Sequence, residues 1–272
     1  MFIVADIGGT KTRIARSSDL EKFDEPLIID TVASYEQGLA KIIETSHLLA
    51  AGAKIEGMSI GITGTIDEDG KTPLTTPHLP DWRRRSLGRE LEAALATSVH
   101  LLNDTAQVGL GEAVFGAGKG ADILVYVTVS TGVNGVRIVK QKIDPSAYGF
   151  EIGGQYLVTD GNKKTLEGLV SGRSIEERYG IHPRSIEKDS PVWDELAEYL
   201  AIGLHNTILH WSPDRVVLGG SMFNDIGISV DRVKANVADI MIKFPQIPEI
   251  VHSALGDFGG LWGGMANLRQ GH

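Results

Sequence analysis

The sequence predicts an α/β protein, and two observations support this class. Short apolar runs of strand length alternate along the chain with longer segments of helical period. Two strand–turn–strand segments, residues 1–16 and 123–139, have similar outlines, and Arg13-Ile14 in the first is echoed by Arg137-Ile138 in the second. Each segment opens one half of the chain. This repetition predicts a duplicated domain, with a ligand held in the cleft between the two halves.

The residues between the two hairpins predict helix, strand, loop, helix, strand and helix. Ser34 and Gln37 have the spacing of a capping box at the start of the first helix, which Gly52 closes. The remaining elements are expected as a strand at 57–64, an irregular loop over 67–85, a helix over 87–95, a strand at 98–102 and a helix from Asp104.

The second half predicts a long helix from Ser190-Pro191 that Pro213 ends. The elements expected after it are a buried strand running into a glycine turn (215–220), a helix near 229–242, a strand at 249–255 and a last helix after Asp257.

Composition excludes several classes of protein. The 272 residues are 42% hydrophobic and carry a net charge of −9, which excludes a disordered, fibrous or coiled-coil chain and argues against a nucleic-acid partner. The absence of cysteine excludes disulfides, thiolate zinc sites and cysteine nucleophiles. No leader and no apolar run of about 18–20 residues is found, so we expect a cytoplasmic protein without a membrane partner.

Glycine-rich turns carry the strongest chemical signal. The first hairpin places Asp6 before Gly8, Gly9, Thr10 and Lys11, which offers backbone N–H groups and a hydroxyl to an anion, and a carboxylate to a hydrated cation. Alone, the motif is equally consistent with a simple turn. Because Ser130-Thr131-Gly132 repeats the design and Gly219-Gly220 gives a third such turn, the set favours nucleotide binding.

The pair Asn103-Asp104 has two interpretations that the spacing leaves open. Asp104 stands between a strand and a helix with Gln107 three residues on, which slightly favours a helix N-cap. The alternative is a general base directed into the cleft.

Four other kinds of site are disfavoured. Ser59 lies in a G-x-S-x-G pattern, but inside an alternating strand rather than at a strand-to-helix turn. The chain has neither a complete phosphate loop nor a dinucleotide fingerprint, and its eight histidines form no metal-binding spacing.

Seven segments read in order make the chain resemble the ROK family of sugar kinases: DIGGTKT, LLNDTAQVGLGE, STGVNG, GFEIGGQ, TLEGLVSG, VVLGGSMF and ALGDFGGLWGG. TPHLPDW resembles the family's substrate-side loop. The resemblance implies a duplicated ribonuclease-H-like (actin-like ATPase) fold with two domains around a cleft. We expect residues 1–105 and the C-terminal helix 258–272 to form one domain and residues 106–257 the other. A homodimer is expected from the resemblance only.

The resemblance also implies roles for individual residues. Asn103 and Asp104 match the pair that holds the sugar and supplies the catalytic base, and Glu151 and Glu167 match two sugar-contacting glutamates. ATP and phosphate are expected at Asp6, Gly8, Gly9, Thr10, Lys11, Thr131, Gly132, Gly219 and Gly220. Asp6 is expected to hold Mg²⁺ through water.

Two departures from the family pattern concern zinc. Typical members have a histidine where this chain has Gly154, and a cysteine cluster where it has DGNKKT (160–165). All four ligands of the structural zinc are absent together, so the sequence predicts a variant without zinc. Packing and hydrogen bonds must then hold the segment, with Asp160-Gly161-Asn162 expected as a turn.

The resulting expectation is an ATP- and Mg²⁺-dependent hexose kinase that phosphorylates a sugar hydroxyl, most simply the 6-OH. Glucose is the default substrate, and fructose, mannose, allose and N-acetylhexosamines are alternatives. A sugar- or nucleotide-binding regulator without turnover is the competing hypothesis, motivated by Gly154 and by the N-cap interpretation of Asp104.

Overall fold

The computed structural model describes residues 1–159, 161–223 and 227–271. Asp160, expected in a turn, lies outside the described residues. The N-terminal half contains these elements: β1 (Phe2–Ile7), β2 (Lys11–Ser17), β3 (Leu27–Asp30), α1 (Tyr35–Ala50), β4 (Gly57–Ile62), α2 (Leu87–Leu95), β5 (Val99–Asn103) and α3 (Asp104–Val114).

The C-terminal half contains further strands and helices, with short 3₁₀ turns between some of them. These are β6 (Ile123–Val129), β7 (Val133–Val139), β8 (Lys142–Ile143), β9 (Tyr156–Thr159), β10 (Asn162–Thr165), α4 (Leu166–Val170), α5 (Gly172–Tyr179), α6 (Pro191–Trp211), β11 (Arg215–Gly219), α7 (Val230–Ile240), β12 (Glu249–His252) and α8 (Gly259–Arg269). Across the described residues no helix is long and apolar enough to span a bilayer.

Two five-stranded sheets share one topology. The first has the order β3-β2-β1-β4-β5, and the second has the order β8-β7-β6-β11-β12. In each sheet the first two strands form an antiparallel hairpin. A further strand, β4 or β11, pairs in parallel with the first strand of the hairpin, and the last strand, β5 or β12, pairs in parallel with that one. The predicted duplicated α/β fold is therefore confirmed.

The Arg-Ile echo between the hairpins does not reflect equivalent positions. Arg13 pairs with Asp6, next to the Ile7–Thr12 pair that closes the first turn. Arg137 pairs with Val125, four pairs away from the Val129–Val133 pair that closes the second turn. The duplication lies in the topology of the strands and not in this dipeptide.

Contacts within the chain define two compact units. The first contains residues 1–115, 147–149 and 255–272, and the second contains residues 116–146 and 150–254. The helix α3 belongs wholly to the first unit, whereas the predicted boundary at residue 105 cuts it near its start. Its packing along α8 explains the difference: a Cβ on Gly111 would lie 2.7 Å from the backbone nitrogen of Gly263.

Each unit has its own apolar core. In the first unit one face of the sheet, including Ile3, Ile7 and Met58, packs with residues of α1 and α2, and the opposite face packs Val4 and Ala15 against Leu261 and Met265 of α8. In the second unit, buried residues of β6 and β11 pack with Leu196, Leu200 and Leu204 of α6. These faces follow from the alternation of apolar side chains along each strand.

The predicted capping box of the first helix is wrong. Ser34 occupies the N-cap position of α1 but its side chain makes no capping bond. The backbone N–H of Tyr35 donates instead to Asp81 Oδ2 at 2.8 Å. A carboxylate from the loop before α2 therefore satisfies the first turn of α1, a long-range contact that local spacing cannot predict.

Candidate functional site

The first glycine turn is held by its own backbone and by Thr31. Gly8 N–H donates to the carbonyl of Lys11 at 3.0 Å, and Thr31 Oγ1 donates to the carbonyl of Gly8 at 2.8 Å. Gly9 and Thr10 are exposed. Lys11, expected at phosphate, forms an exposed ion pair with Asp30 of β3. The turn thus presents backbone groups and the Thr10 side chain to solvent.

Asp6 lies at the end of β1 in a setting that disfavours its charge. Burial and the nearby negative charge of Asp104 raise the pKa of Asp6 from 3.8 to about 7, although the positive charge of Arg13 acts in the opposite direction. Gly260 of α8 lies against the carboxylate, where a Cβ would come within 2.7 Å of Asp6 Cγ. A cation bound at Asp6 would favour its ionised form.

Asn103, and not Asp104, caps α3. Asn103 Oδ1 accepts from the N–H of Ala106 at 3.0 Å, and its Nδ2 donates to the carbonyl of Gly64 at 2.9 Å. Asp104 is the first residue of the helix. The side chain of Gln107 is buried and donates to the carbonyls of Ala5 and Gly260, so it takes no part in a capping box.

The N-cap interpretation of Asp104 is therefore wrong, and its carboxylate is left for another role. Asp104 Oδ1 accepts from the N–H of Thr105 at 2.7 Å and lies 3.4 Å from Thr105 Oγ1. Burial raises the pKa of Asp104, while the bonds from Thr105 and the electrostatic effect of His78 oppose that rise. A carboxyl group with a raised pKa holds a transferred proton better than an exposed one.

His78 is a site residue that sequence reasoning did not single out. It belongs to the TPHLPDW segment, and a Cβ on Gly9 would lie 2.7 Å from His78 Cβ. The exposed imidazole therefore stands beside the first glycine turn and within electrostatic range of Asp104. The resemblance of its segment to a substrate-side loop was the available signal.

The second unit brings its two glycine turns together. Gly220 has a φ of +97°, and a Cβ there would lie 2.4 Å from the carbonyl oxygen of Val129. The N–H of Ser221 donates to Ser130 Oγ at 3.1 Å. Gly219 packs on Tyr126, whose hydroxyl would lie 2.7 Å from an added Cβ. Only glycine fits these contacts, so Gly219 and Gly220 are required by the close approach of Tyr126 and of the backbone of Val129.

Glu167 contacts the second hairpin. Its Oε2 accepts from the N–H of Val133 at 2.9 Å and would lie 2.7 Å from a Cβ on Gly132. The hairpin is also joined to the start of α5, where Gly172 N–H donates to the carbonyl of Ser130 at 2.7 Å and Arg173 N–H to that of Thr131 at 3.4 Å. A residue expected at the sugar and residues expected at phosphate are thus adjacent within this unit.

Gln155 forms two hydrogen bonds near the segment where the resemblance implies zinc ligands in typical family members. Gln155 Nε2 donates to the carbonyl of Ile152 at 3.0 Å, and Gln155 Oε1 accepts from Asn206 Nδ2 of α6 at 3.2 Å. Glu151 is exposed, and no atom lies within 4 Å of a Cβ added to Gly154. Among the described residues, no three His, Asp or Glu side chains are grouped to hold a metal.

Ser59 has a structural role. It is fully buried in β4, its Oγ donates to Gln107 Oε1 at 3.3 Å, and it accepts from Asn267 Nδ2 at 3.1 Å. The strand continues through it, so no nucleophile elbow is formed.

Comparison with solved structures identifies the fold. The chain matches a ROK hexokinase from Thermus thermophilus with a TM-score of 0.86, at 23% identity over 99% of both chains. It matches a ROK family glucokinase from Streptomyces griseus, solved with glucose and AMPPNP, with a TM-score of 0.81, at 25% identity over 99% of both chains. The molecule therefore has the duplicated ribonuclease-H-like fold of the actin-like ATPases.

Sequence comparison identifies the family. The model of the ROK family matches residues 2–271, so the chain belongs to the ROK family. A fructokinase from Pediococcus pentosaceus is 24% identical over 96% of this chain and 94% of its own length. A glucokinase from Thermotoga maritima is 25% identical over 99% of this chain and 97% of its own length.

Proposed function

We propose that this protein is an ATP-dependent hexose kinase that transfers the γ-phosphoryl group to a sugar hydroxyl, the 6-OH of glucose being the default acceptor. The observation that carries the proposal is Asp104. Asp104 directly follows β5 and its pKa is raised by burial. Asn103, not Asp104, caps α3, so helix capping does not account for the aspartate at this position. The names of the fructokinase and glucokinase relatives support a sugar substrate.

In this proposal Asp104 accepts the proton of the attacking hydroxyl as the oxygen bonds to the γ-phosphorus and the bond to ADP breaks. Phosphoryl transfer has a loose transition state, so positioning and charge neutralisation supply most of the rate. Asn103, Glu151 and Glu167 hold sugar hydroxyls. The turns of the first and second hairpins contribute backbone N–H groups to phosphate oxygens, and Gly219 and Gly220 approach the adenosine.

Mg²⁺ fits the chemistry of the Asp6 region. A buried carboxylate that is destabilised by a second carboxylate favours a divalent cation, and Mg²⁺ is commonly held by one or two carboxylates together with substrate phosphates. Asp6 would hold the ion through water. When bound, Mg²⁺ neutralises charge on the phosphates.

The test is Asp104→Asn, which keeps the shape of the side chain and removes the base. We expect turnover with ATP and a hexose to fall by about 10²–10⁴ while the melting temperature stays unchanged or rises. The control is Asp69→Asn, whose residue forms an exposed ion pair with Arg89. Full activity in the Asp104 variant would overturn the assignment of the base.

The regulatory hypothesis makes a different prediction for the same protein. A binding protein without turnover would bind a sugar and release no ADP in the unsubstituted form. Its structural motivation is weakened by the cap on α3, because Asp104 is not needed to satisfy the helix terminus.

A further inference from the structure

Arg13 has a buried guanidinium nitrogen that the folded chain leaves without an acceptor. Its Nε is one of two buried side-chain nitrogen or oxygen atoms without a hydrogen-bond partner in the described part of the chain. The other is Nε of Arg178, whose remaining nitrogens are bonded to Glu195 and to the carbonyl of Leu169. Among the described residues, the side chain of Arg13 makes no hydrogen bond and no ion pair, although its backbone is paired with β1 and β3.

The register of the first hairpin places Arg13 beside the phosphate turn. Arg13 in β2 is directly opposite Asp6 in β1, one pair from the turn. Directly opposed residues in antiparallel strands project on the same face of the sheet, with Cβ atoms about 4.5–5.5 Å apart. The Arg13 side chain therefore shares the face of Asp6, one register pair before the turn in which Gly9 and Thr10 are exposed.

We propose that Arg13 binds the phosphate groups of the nucleotide, supplying a cation that the glycine turn lacks. This proposal rests on the function proposed above. A guanidinium offers five N–H donors in a fork that matches phosphate oxygens. Lys11, the obvious cation of the turn, is paired with Asp30, so Arg13 is the cation of this hairpin that keeps its donors for a ligand.

A purely structural role as counter-ion to Asp6 explains less. Among the described residues, no salt bridge joins the side chains of Arg13 and Asp6, although the charge of Arg13 acts on Asp6. The pKa of Asp6 stays raised to about 7 although Arg13 faces it. By contrast, Arg16 on the same strand is bonded to Asp24 and to the carbonyl of Leu49.

The test measures nucleotide binding directly. ADP and adenosine are titrated by calorimetry into the full-length protein and its Arg13→Met and Arg13→Lys variants, with Arg16→Met as the matched control on β2. We expect Arg13→Met to weaken ADP binding about 10- to 100-fold, as for the loss of charge-assisted bonds, with adenosine affinity within twofold. The melting temperature should not fall, because an unpartnered buried group is removed.

The ADP affinity of Arg13→Lys should lie between those of the unsubstituted protein and Arg13→Met, since lysine keeps the charge but lacks the forked geometry of the guanidinium. Equal losses for ADP and adenosine, a lower melting temperature or unchanged ADP affinity would overturn the role of Arg13. Sugar turnover by the unsubstituted protein separates this from the proposed function. If the unsubstituted protein turns over sugar and Arg13→Met keeps its ADP affinity, only the role of Arg13 is rejected. If Arg13→Met loses ADP affinity selectively and the unsubstituted protein shows no turnover, the role of Arg13 is supported and the kinase function is rejected.

Discussion

At the scale of single residues, the chemistry of Asp104 depends on its two neighbours in the chain. Asn103 caps α3 and leaves the carboxylate free, and Thr105 donates to Asp104 Oδ1 from its backbone. Burial raises the pKa of Asp104, and the bonds from Thr105 limit that rise because they favour the charged form. The pKa of Asp104, the proposed base, thus depends on adjacent residues.

Thr105→Val should shift the acidic limb of the kcat/KM pH profile to higher pH. The substitution removes the hydroxyl and so one of the effects that lower the pKa of Asp104, and a base with a higher pKa is deprotonated only at higher pH. The control is Thr207→Val on α6, whose hydroxyl bonds within its own helix. A limb that stays in place or moves to lower pH would count against Asp104 as the base.

Asp6→Asn should stabilise the metal-free protein, and only at higher pH. The pKa of Asp6 is about 7 in the folded chain against 3.8 ordinarily, so the folded state retains its proton longer than the unfolded state. The free energy of unfolding of the unsubstituted protein therefore falls as pH rises between these values, by ~4 kcal/mol relative to the variant. Urea unfolding in EDTA at pH 4, 6 and 8 measures this. Equal stabilities at pH 8 would contradict the assigned burial.

At the scale of elements, the packing of α3 on α8 fixes the position of Asp104. Glycines let these helices approach closely, and a Cβ on Gly263 would lie 1.7 Å from the carbonyl oxygen of Gln107. Gln107 itself bonds to the carbonyls of Ala5 in β1 and Gly260 in α8. One short region thus joins α3, which begins with Asp104, the strand that carries Asp6 and the C-terminal helix.

Gly263→Ala should lower the free energy of unfolding by ~1–3 kcal/mol or more, because the helices must move apart to admit the methyl group. Gly154→Ala is the matched control, since nothing lies within 4 Å of its added Cβ. It should change stability by no more than ~0.5 kcal/mol. Urea midpoints compare the two, and equal midpoints would refute the close packing of α3 on α8.

Sequence patterns predicted elements whose signals are local. The helix at 87–95 and the start of α6 at Ser190-Pro191 agree with the structure, because periodicity and capping chemistry define them within one segment. Ser190 Oγ accepts from the N–H of Val192. The short edge strand β3 gave no alternation long enough to recognise. The cap from Asp81 on α1 and the bonds of Gln107 depend on tertiary contacts, which spacing does not contain.

At the scale of the whole molecule, the duplicated topology was predictable because two glycine-rich hairpins open the two halves. The position of the unit boundary was not, since the packing of α3 with α8 is a long-range property. The site residues are predictions from the resemblance, which directed attention to the turns. Arg13 and His78 are not among those predictions. Arg13 is distinguished by its register opposite Asp6 and its buried Nε, and His78 by its closeness to Gly9, and these features depend on the folded structure.

Metal dependence is a prediction for the molecule as purified. The hydrogen bond from Asn206 of α6 to Gln155 joins the segment around Gln155 to α6 without a metal, and the chain has no cysteine. We expect no stoichiometric zinc by elemental analysis and no change of melting temperature with a zinc chelator. Removal of Mg²⁺ should abolish turnover without unfolding the protein. One zinc per chain would show that the segment 154–165 is held differently.

The central claim is that the protein phosphorylates a hexose with ATP, and sugar-dependent ADP release tests it most directly. The purified protein is assayed with ATP and Mg²⁺ against glucose, fructose, mannose, allose and N-acetylhexosamines, with product position read by ³¹P NMR and Asp104→Asn as the inactive control. We expect ADP release that requires a sugar, greatest with one hexose, and a product phosphorylated at the 6-OH. Sugar binding without ADP release for any member of the panel would contradict it.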